Sequence, residues 1–341
     1  MKYLLTSDWH LRHTTPPCRT DDFQKAQWNK VEQVFKLAIR ERAQIIHAGD
    51  LFIEHSSHYG PVNKLMSLIE KYNVIMKSIA GNHDLPNHNI KNIDKCAYGA
   101  MINSKLITHL TGIKSEPNNV VFQSSNWKEP LPEKIIEYKA GRAFNIMVLH
   151  YFVFPSDIPD HWQLSDAVTV NNLIKKYRDF DVILTGHNHV NFIRDINGSF
   201  NCKKPRQIVS TVLVNPGSLT RHKADQIDHE PSVYLLDTIE RTIVNIPLDI
   251  EPDVISTEHI DIVTNQKLRI EKYIEALQNQ QLEESLNIDF EDSIQKLIDL
   301  GDIDQLTKTY LEQSVFPERF TKEDQNELSS TTNETEKAIG E

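Results

Sequence analysis

Histidine, aspartate and asparagine recur in five short motifs, each following an apolar run. They are Asp8-Trp9-His10, Gly49-Asp50, Gly81-Asn82-His83-Asp84, Leu149-His150 and Gly186-His187-Asn188-His189. Together they offer enough imidazole nitrogens and side-chain oxygens to hold two metal ions that share one carboxylate. Two cations a few ångströms apart stabilise both the attacking and the leaving oxygen of an in-line displacement. The chemistry this set suggests is therefore hydrolysis of a phosphate ester. Mixed carboxylate, amide and imidazole donors suit Mn²⁺, Fe or Zn²⁺ better than Ca²⁺ or Mg²⁺, which prefer all-oxygen shells.

Each piece alone is weak. A lone Asp-X-His is ordinarily a surface turn, a lone histidine such as His150 is ordinarily a satisfied core residue, and Gly-Asp is a common turn dipeptide. Gly-Asn-His-Asp is sharper, because packing alone seldom needs those three polar residues together after a strand. It is the conjunction, in this order, that carries the functional reading. The remaining histidines, His13, His47, His55, His58, His88, His109, His161, His222, His229 and His259, lack such context, and most of them read as structural or surface residues.

These motifs need elements to position them. Leu4–Ser7, Ile45–Ala48, Val74–Ala80, Asn145–Leu149, Asp181–Thr185, Ile208–Val214 and Val233–Asp237 read as strands. Trp28, Val31, Val34, Phe35, Ala38 and Ile39 recur at helical spacing between about Asp22 and Arg42, and Pro61–Tyr72 reads as a second helix with proline in its first turn. Strand and helix alternation implies an α/β fold. Later strands have fewer helices between them, which predicts a layered β-sandwich flanked by helices rather than a simple doubly wound sheet. The motifs fall where strands end, and sites in α/β folds form beyond the carboxyl ends of strands. Asp8 and His10, two apart on an extended chain, should point to the same side, as should His187 and His189. Gly49 and Gly186 precede ligands, where a missing side chain lets the backbone turn or approach closely.

Composition bounds the rest. The chain has 341 residues, 39% apolar and 25% charged, enough for one large domain with or without a small one. No stretch is apolar for the 18 or so residues that suggest a membrane span. A strand-like Lys2–Leu5 at the start predicts no signal peptide. Three scattered cysteines, Cys18, Cys96 and Cys202, point to a reducing, intracellular (cytoplasmic) setting and away from a disulfide framework. The net charge of −11 is uneven: residues 249–341 hold 23 acidic and 8 basic residues, a net −15, leaving +4 for residues 1–248. The acidity therefore does not exclude a nucleic-acid substrate. We expect a catalytic domain over 1–248, an acidic helical region over 249–320 and a polar, disordered tail over 321–341. Helix candidates in the acidic region are Leu268–Leu286, Glu291–Leu300, with Gly301 as a C-cap, and Asp302–Val315, stopped before Pro317.

The five motifs, in order, resemble the calcineurin-like metallophosphoesterase superfamily, whose pattern runs D-x-H, G-D, G-N-H-D/E, H and G-H-x-H. Within it the chain most resembles the SbcD-type nuclease branch. The opening Lys2–Arg12, Gly49-Asp50-Leu51-Phe52, Gly81–Asp84 and the turn Asn215-Pro216-Gly217-Ser218 carry that likeness. The resemblance implies that Asp8, His10 and His189 hold one metal and Asn82, His150 and His187 the other, with Asp50 bridging. His83 would bind no metal but sit by the scissile phosphate and protonate the leaving oxygen, with Asp84 orienting it. The expected ion is Mn²⁺, with Mg²⁺, Fe²⁺ and Zn²⁺ as alternatives. Expected partners are DNA and an SbcC-type SMC-like ATPase, and relatives commonly form homodimers. Two departures stand out: Ile53 where many relatives place His or Asp, and Arg12 in place of the usual glycine.

The acidic region is then the candidate for capping or for docking the ATPase. DNA would lie on the less acidic part, where Lys203, Lys204, Arg206, Arg221 and Lys223 surround the Pro-Gly-Ser turn. A solvated loop explains that cluster equally well. The alternative function is a stand-alone phosphoesterase acting on a nucleotide or phosphoprotein. A metal-stabilised, non-catalytic scaffold is a third, which the intact His83 and the complete ligand set oppose.

Overall fold

Apolar residues occupy both faces of the central strands, so neither face can meet water and layers must stack on each side. The computed structural model describes residues 1–132, 143–156, 168–200, 202–257 and 295. Of two compact units, Met1–Ile260 and Asp261–Glu341, the first is described below. The helix candidates beyond Leu268 and the tail lie outside the described residues, apart from Gln295.

In chain order the elements begin with β1 (Lys2–Thr6), α1 (Phe23–Glu41), β2 (Ala43–His47), α2 (Tyr59–Tyr72), β3 (Met76–Ser78), α3 (Ala97–Asn103) and β4 (Ile107–His109). Next come β5 (Ile113–Glu116), β6 (Val120–Ser125), β7 (Phe144–His150), β8 (Val153–Phe154), β9 (Val168–Thr169), α4 (Val170–Lys176) and β10 (Val182–Gly186). The last are β11 (Phe192–Asp195), β12 (Gly198–Ser199), β13 (Arg206–Gln207), β14 (Val212–Asn215), β15 (Ser232–Asp237) and β16 (Thr242–Pro247).

Two seven-stranded mixed sheets result. One is ordered β13-β16-β15-β1-β2-β3-β4 and the other β12-β11-β14-β10-β7-β6-β5. The centre of each is parallel: β1 to β4 in the first, and β6-β7-β10-β14 in the second. Side chains alternate along each strand and sort into separate cores. Leu4, Ile45 and Met76 face α1 and α2, meeting Val31, Phe35, Leu65 and Ile69. Tyr3, Leu5 and Ile46 face the second sheet and meet Phe122, Val148, Leu184 and Val214. On the far side Leu149, Ile183 and Leu213 pack on Leu173 and Ile174 of α4. The described part of the first unit is thus the layered α/β sandwich, flanked by helices, that the strand pattern predicts.

Helix α1 starts where the Asp22 side chain accepts from the Lys25 amide and stops where Arg42 turns left-handed, satisfying orphan groups at both ends. Ile39, counted above in its apolar stripe, is half exposed; the buried face is Val31, Val34, Phe35 and Ala38, and Ile39 lies one step round the helix from it. Cys18, Cys96 and Cys202 are buried free thiols. Among the described residues no helix is long and apolar enough to cross a membrane.

Candidate metal centre

Asp8 and His10 follow β1, Asp50 follows β2 and Asn82 follows β3, all in one sheet. His150 ends β7, while His187 and His189 follow β10, in the other. The carboxyl ends of parallel strands from both sheets therefore deliver every ligand candidate to one seam. The local backbone differs from the extended form expected of Asp-X-His. Asp8, His10, Asp50 and His187 have φ of 49°, 46°, 56° and 77°. These left-handed turns cost of order 1 kcal/mol each, and Asp and His tolerate them better than most residues. The turns aim the side chains inward just after the strands end. Gly49 (φ 92°) meets the expectation for a tight turn, since a Cβ there would lie 2.4 Å from Nδ1 of His150. Gly186 lets the sheets approach, since its Cβ would lie 2.4 Å from the Ala48 carbonyl oxygen.

The side chains form two adjoining groups. In the first, Nε2 of His10 and Nε2 of His189 are 3.0 Å apart, and each is 3.9 Å from Oδ1 of Asp8. In the second, Nε2 of His150 is 3.1 Å from Oδ1 of Asn82 and 3.3 Å from Oδ2 of Asp50, with His187 beside them. Oδ2 of Asp50 is also 3.8 Å from Nε2 of His10, so this carboxylate stands between the groups. Its Oδ1 accepts the His83 amide at 2.9 Å.

The donor chemistry fits cations. Nδ1–H of His150 donates to the Ala48 carbonyl at 2.7 Å, which leaves Nε2 facing two acceptor oxygens. Acceptors pointed at one another need a proton or a metal between them. Oδ2 of Asp50 is buried facing the imidazole nitrogens of His150 at 3.3 Å and His10 at 3.8 Å without a hydrogen bond of its own, as expected where an ion completes a polar group's partners. Burial holds His187 near a pKa of about 3 and His189 near about 2, so both keep a ligand lone pair at neutral pH.

Burial opposes a charge on His150 too, but Asp50 and Asp8 outweigh it and raise its pKa to about 9. The metal-free protein at pH 7 therefore carries a proton that a metal must displace, and affinity falls as pH drops. Mn²⁺ uptake at pH 7 should release protons, chiefly from His150 and in part from Asp8, whose pKa burial raises to about 7. Calorimetry in buffers of different ionisation enthalpy checks this; a heat independent of buffer contradicts it.

His83 is half-buried and its Nδ1 pairs with the Ile53 carbonyl at 2.7 Å. Orientation of this ring by Asp84 is thus corrected. The buried Asp84 carboxylate instead accepts the amides of Leu51 at 3.0 Å, Phe52 at 3.1 Å and Gly81 at 2.9 Å. Three amides are better partners for a buried carboxylate than one ring, and they lock the Asp50 loop to the Asn82 loop. These bonds fix backbone on both loops and leave the His83 ring untouched. Burial and then Asp50 raise the pKa of Asp84 to about 7.

The Pro-Gly-Ser turn is a brace. Leu219 donates to the Asp8 carbonyl at 3.1 Å and Ser218 to the His189 carbonyl at 3.1 Å, while the Asn215 amide reaches the carbonyls of Asn188 and Val190. Two residues near the ligands were invisible to motif reasoning. Trp127 packs against His187 with ring centroids 4.9 Å apart, and His222, one of the histidines without motif context, packs against both His10 and His189. Neither has a local pattern; only a histidine shortly after the Pro-Gly-Ser turn could have hinted at the second.

A cleft of about 1160 Å³ opens beside His83, His187 and His189. Phe152, Phe192, Phe200, Lys203 and Lys223 line it, together with Asp225, Asp228 and Glu230. Of the expected basic cluster, Arg221 is buried and spends its guanidinium on the carbonyls of Ile227 and Glu251. Arg206 pairs with Asp195 at 3.0 Å and stacks on Phe200. Arg221 thus holds loops, while Arg206, its side chain 40% exposed, is engaged by Asp195 and Phe200.

The chain belongs to the calcineurin-like phosphoesterase family, which it matches over residues 1–191. It is a metal-dependent hydrolase of phosphoester bonds. Many solved structures are similar, two of them as follows. TT1561 of Thermus thermophilus shares 13% identity with a TM-score of 0.43, over 72% of this chain and 98% of that one. A metallophosphoesterase from Sphaerobacter thermophilus shares 13% identity with a TM-score of 0.39, over 74% of this chain and 89% of that one. No curated protein matches this chain.

Proposed function

We propose that the chain is a two-metal phosphodiesterase that cuts DNA, as the nuclease subunit of an SbcCD-type end-processing complex with an SMC-like ATPase. Asp8, His10 and His189 would hold one divalent ion, Asn82, His150 and His187 the other, and Asp50 both, with Mn²⁺ the expected ion. When bound, the pair would neutralise charge on the phosphoryl oxygens and lower the pKa of a water. His83 faces the cleft with its ring set by the Ile53 carbonyl. It would give its proton to the leaving sugar oxygen.

The observation that carries the DNA reading is the cleft. Phe152 and Phe192 line it with apolar surface against which an unpaired base could lie, and Lys223 adds positive charge for a flanking phosphate. Asp225, Asp228 and Glu230 limit how many phosphates can lie there, so a short, unstacked stretch of strand fits better than a long duplex track. The same carboxylates, with Arg206 and Arg221 engaged elsewhere, favour the second reading, a phosphoesterase for a single nucleotide.

Cleavage of single- and double-stranded DNA with Mn²⁺, with and without a co-purified ATPase, separates the two. We expect DNA cleavage and hydrolysis of bis-p-nitrophenyl phosphate with little action on the monoester. No DNA cleavage in either arm, together with monoester hydrolysis, would sink the nuclease reading.

A further inference from the structure

Three imidazoles meet at one edge of the metal centre, and motif reasoning accounts for only two. The ring of His222 lies 5.0 Å from that of His10 and 5.1 Å from that of His189, centroid to centroid. One nitrogen from each of the three lies within 4.8 Å of the others. His222 is only 7% exposed, and its Nδ1 faces the Thr220 carbonyl at 3.3 Å. A ring whose N–H points at a carbonyl presents its other nitrogen as a ligand, the arrangement usual for metal-bound histidine.

The loop carrying His222 is built, not draped. Oε1 of Gln226 accepts the amides of His222 and Lys223 at 2.8 and 3.0 Å. Gln226 donates in turn to Oγ of Ser218 at 2.6 Å, and that hydroxyl donates to the Thr220 carbonyl at 2.9 Å. Arg19 donates to the Arg221 carbonyl at 2.9 Å, and Leu219 is tied to the backbone of Asp8 itself. The ring is thus fixed from both sides, in register with the first ligand loop. Among the described residues no carboxylate or hydroxyl hydrogen-bonds to its free nitrogen, so the ring packs mainly on two other imidazoles. Buried imidazoles converge in this way when a cation joins them.

We propose that His222 is an additional ligand of the metal position formed by Asp8, His10 and His189. This rests on the two-metal reading above and makes the two positions unequal. One would have three imidazoles, the other two imidazoles and an amide. The imidazole-rich position should take the ion that favours nitrogen, such as Co²⁺, Fe²⁺ or Zn²⁺, ahead of Mg²⁺ or Mn²⁺.

The test uses the full chain, stripped of metal and titrated with Co²⁺ against a chromophoric chelator. Wild type should bind two equivalents in a tighter and a weaker class. His222→Ala and His222→Gln should weaken the tighter class by at least about tenfold, the lower end for losing even an outer-shell partner of a metal ligand. The weaker class should stay within about twofold. Thermal melting of the metal-free variants separates a folding defect from a lost ligand. X-ray absorption on wild type with one equivalent of Co²⁺ needs no variant. Three imidazoles around the ion are expected, and two would overturn the assignment, as would unchanged affinities in both variants. Failure of wild type to bind Co²⁺ at all would instead refute the two-metal reading itself.

Discussion

Asp50→Asn is expected to empty both metal positions and to lower phosphodiester hydrolysis by at least about 10³-fold. The carboxylate is fully buried, lies 3.3 Å from His150 and 3.8 Å from His10, and has one oxygen without a hydrogen-bond partner. Burial opposes its charge, yet His150, then His10 and His83, hold its pKa well below the usual carboxylate range. It is therefore an anion already in place before any ion arrives. An amide keeps the shape and removes the charge that two cations would share. Metal catalysis of this kind contributes several kcal/mol, and each 1.4 kcal/mol is tenfold in rate. Isothermal titration with Mn²⁺ reads the binding directly. A variant that still takes two equivalents at wild-type affinity refutes the bridge.

His83→Ala should do the opposite to the metals and nearly the same to the rate. Its ring edges against His10 at 4.9 Å between centroids, yet its Nδ1 is committed to Ile53. As a proton donor it should be worth roughly 10²–10⁴-fold on DNA. The loss should shrink on bis-p-nitrophenyl phosphate, whose leaving phenolate departs without a proton. Metal stoichiometry should stay at two. An equal loss on both substrates, or a missing equivalent of metal, would move His83 from proton donor to ligand, a role its nearness to His10 and Asp50 would allow.

The legible parts of this protein were those written locally. β1, β2, β7 and β10 appeared as apolar runs, and their carboxyl ends carried Asp8, Asp50, His150 and His187 within a few residues. The strand β6 (Val120–Ser125) was missed because half of it is polar. Gln123, Ser124 and Ser125 are nevertheless buried with the rest, which no alternation rule anticipates. The helix candidates of the acidic region, from Leu268 on, lie outside the described residues apart from Gln295. Within the site, errors came from partners distant in sequence. Asp84 accepts amides 32 and 33 residues away, and Arg221 is bound to the carbonyl of Glu251, 30 residues on. The left-handed turns at Asp8 and Asp50 were also unreadable, because residue type permits that conformation without demanding it.

The seam on which the ligands meet has a mechanical side. Asp8, His10, Asp50 and Asn82 ride on one sheet, His150, His187 and His189 on the other, and Tyr3, Phe122 and Val148 fill the space between the sheets. A pair of ions gripped from both sheets would act as a clasp across the sandwich, and whatever binds only the folded state resists its unfolding. Packing then sets the bite of the clasp, so a void opened between the sheets would be felt at the cations without touching a ligand. In a metal-poor medium the protein would lose, along with its chemistry, a fastening between its two halves.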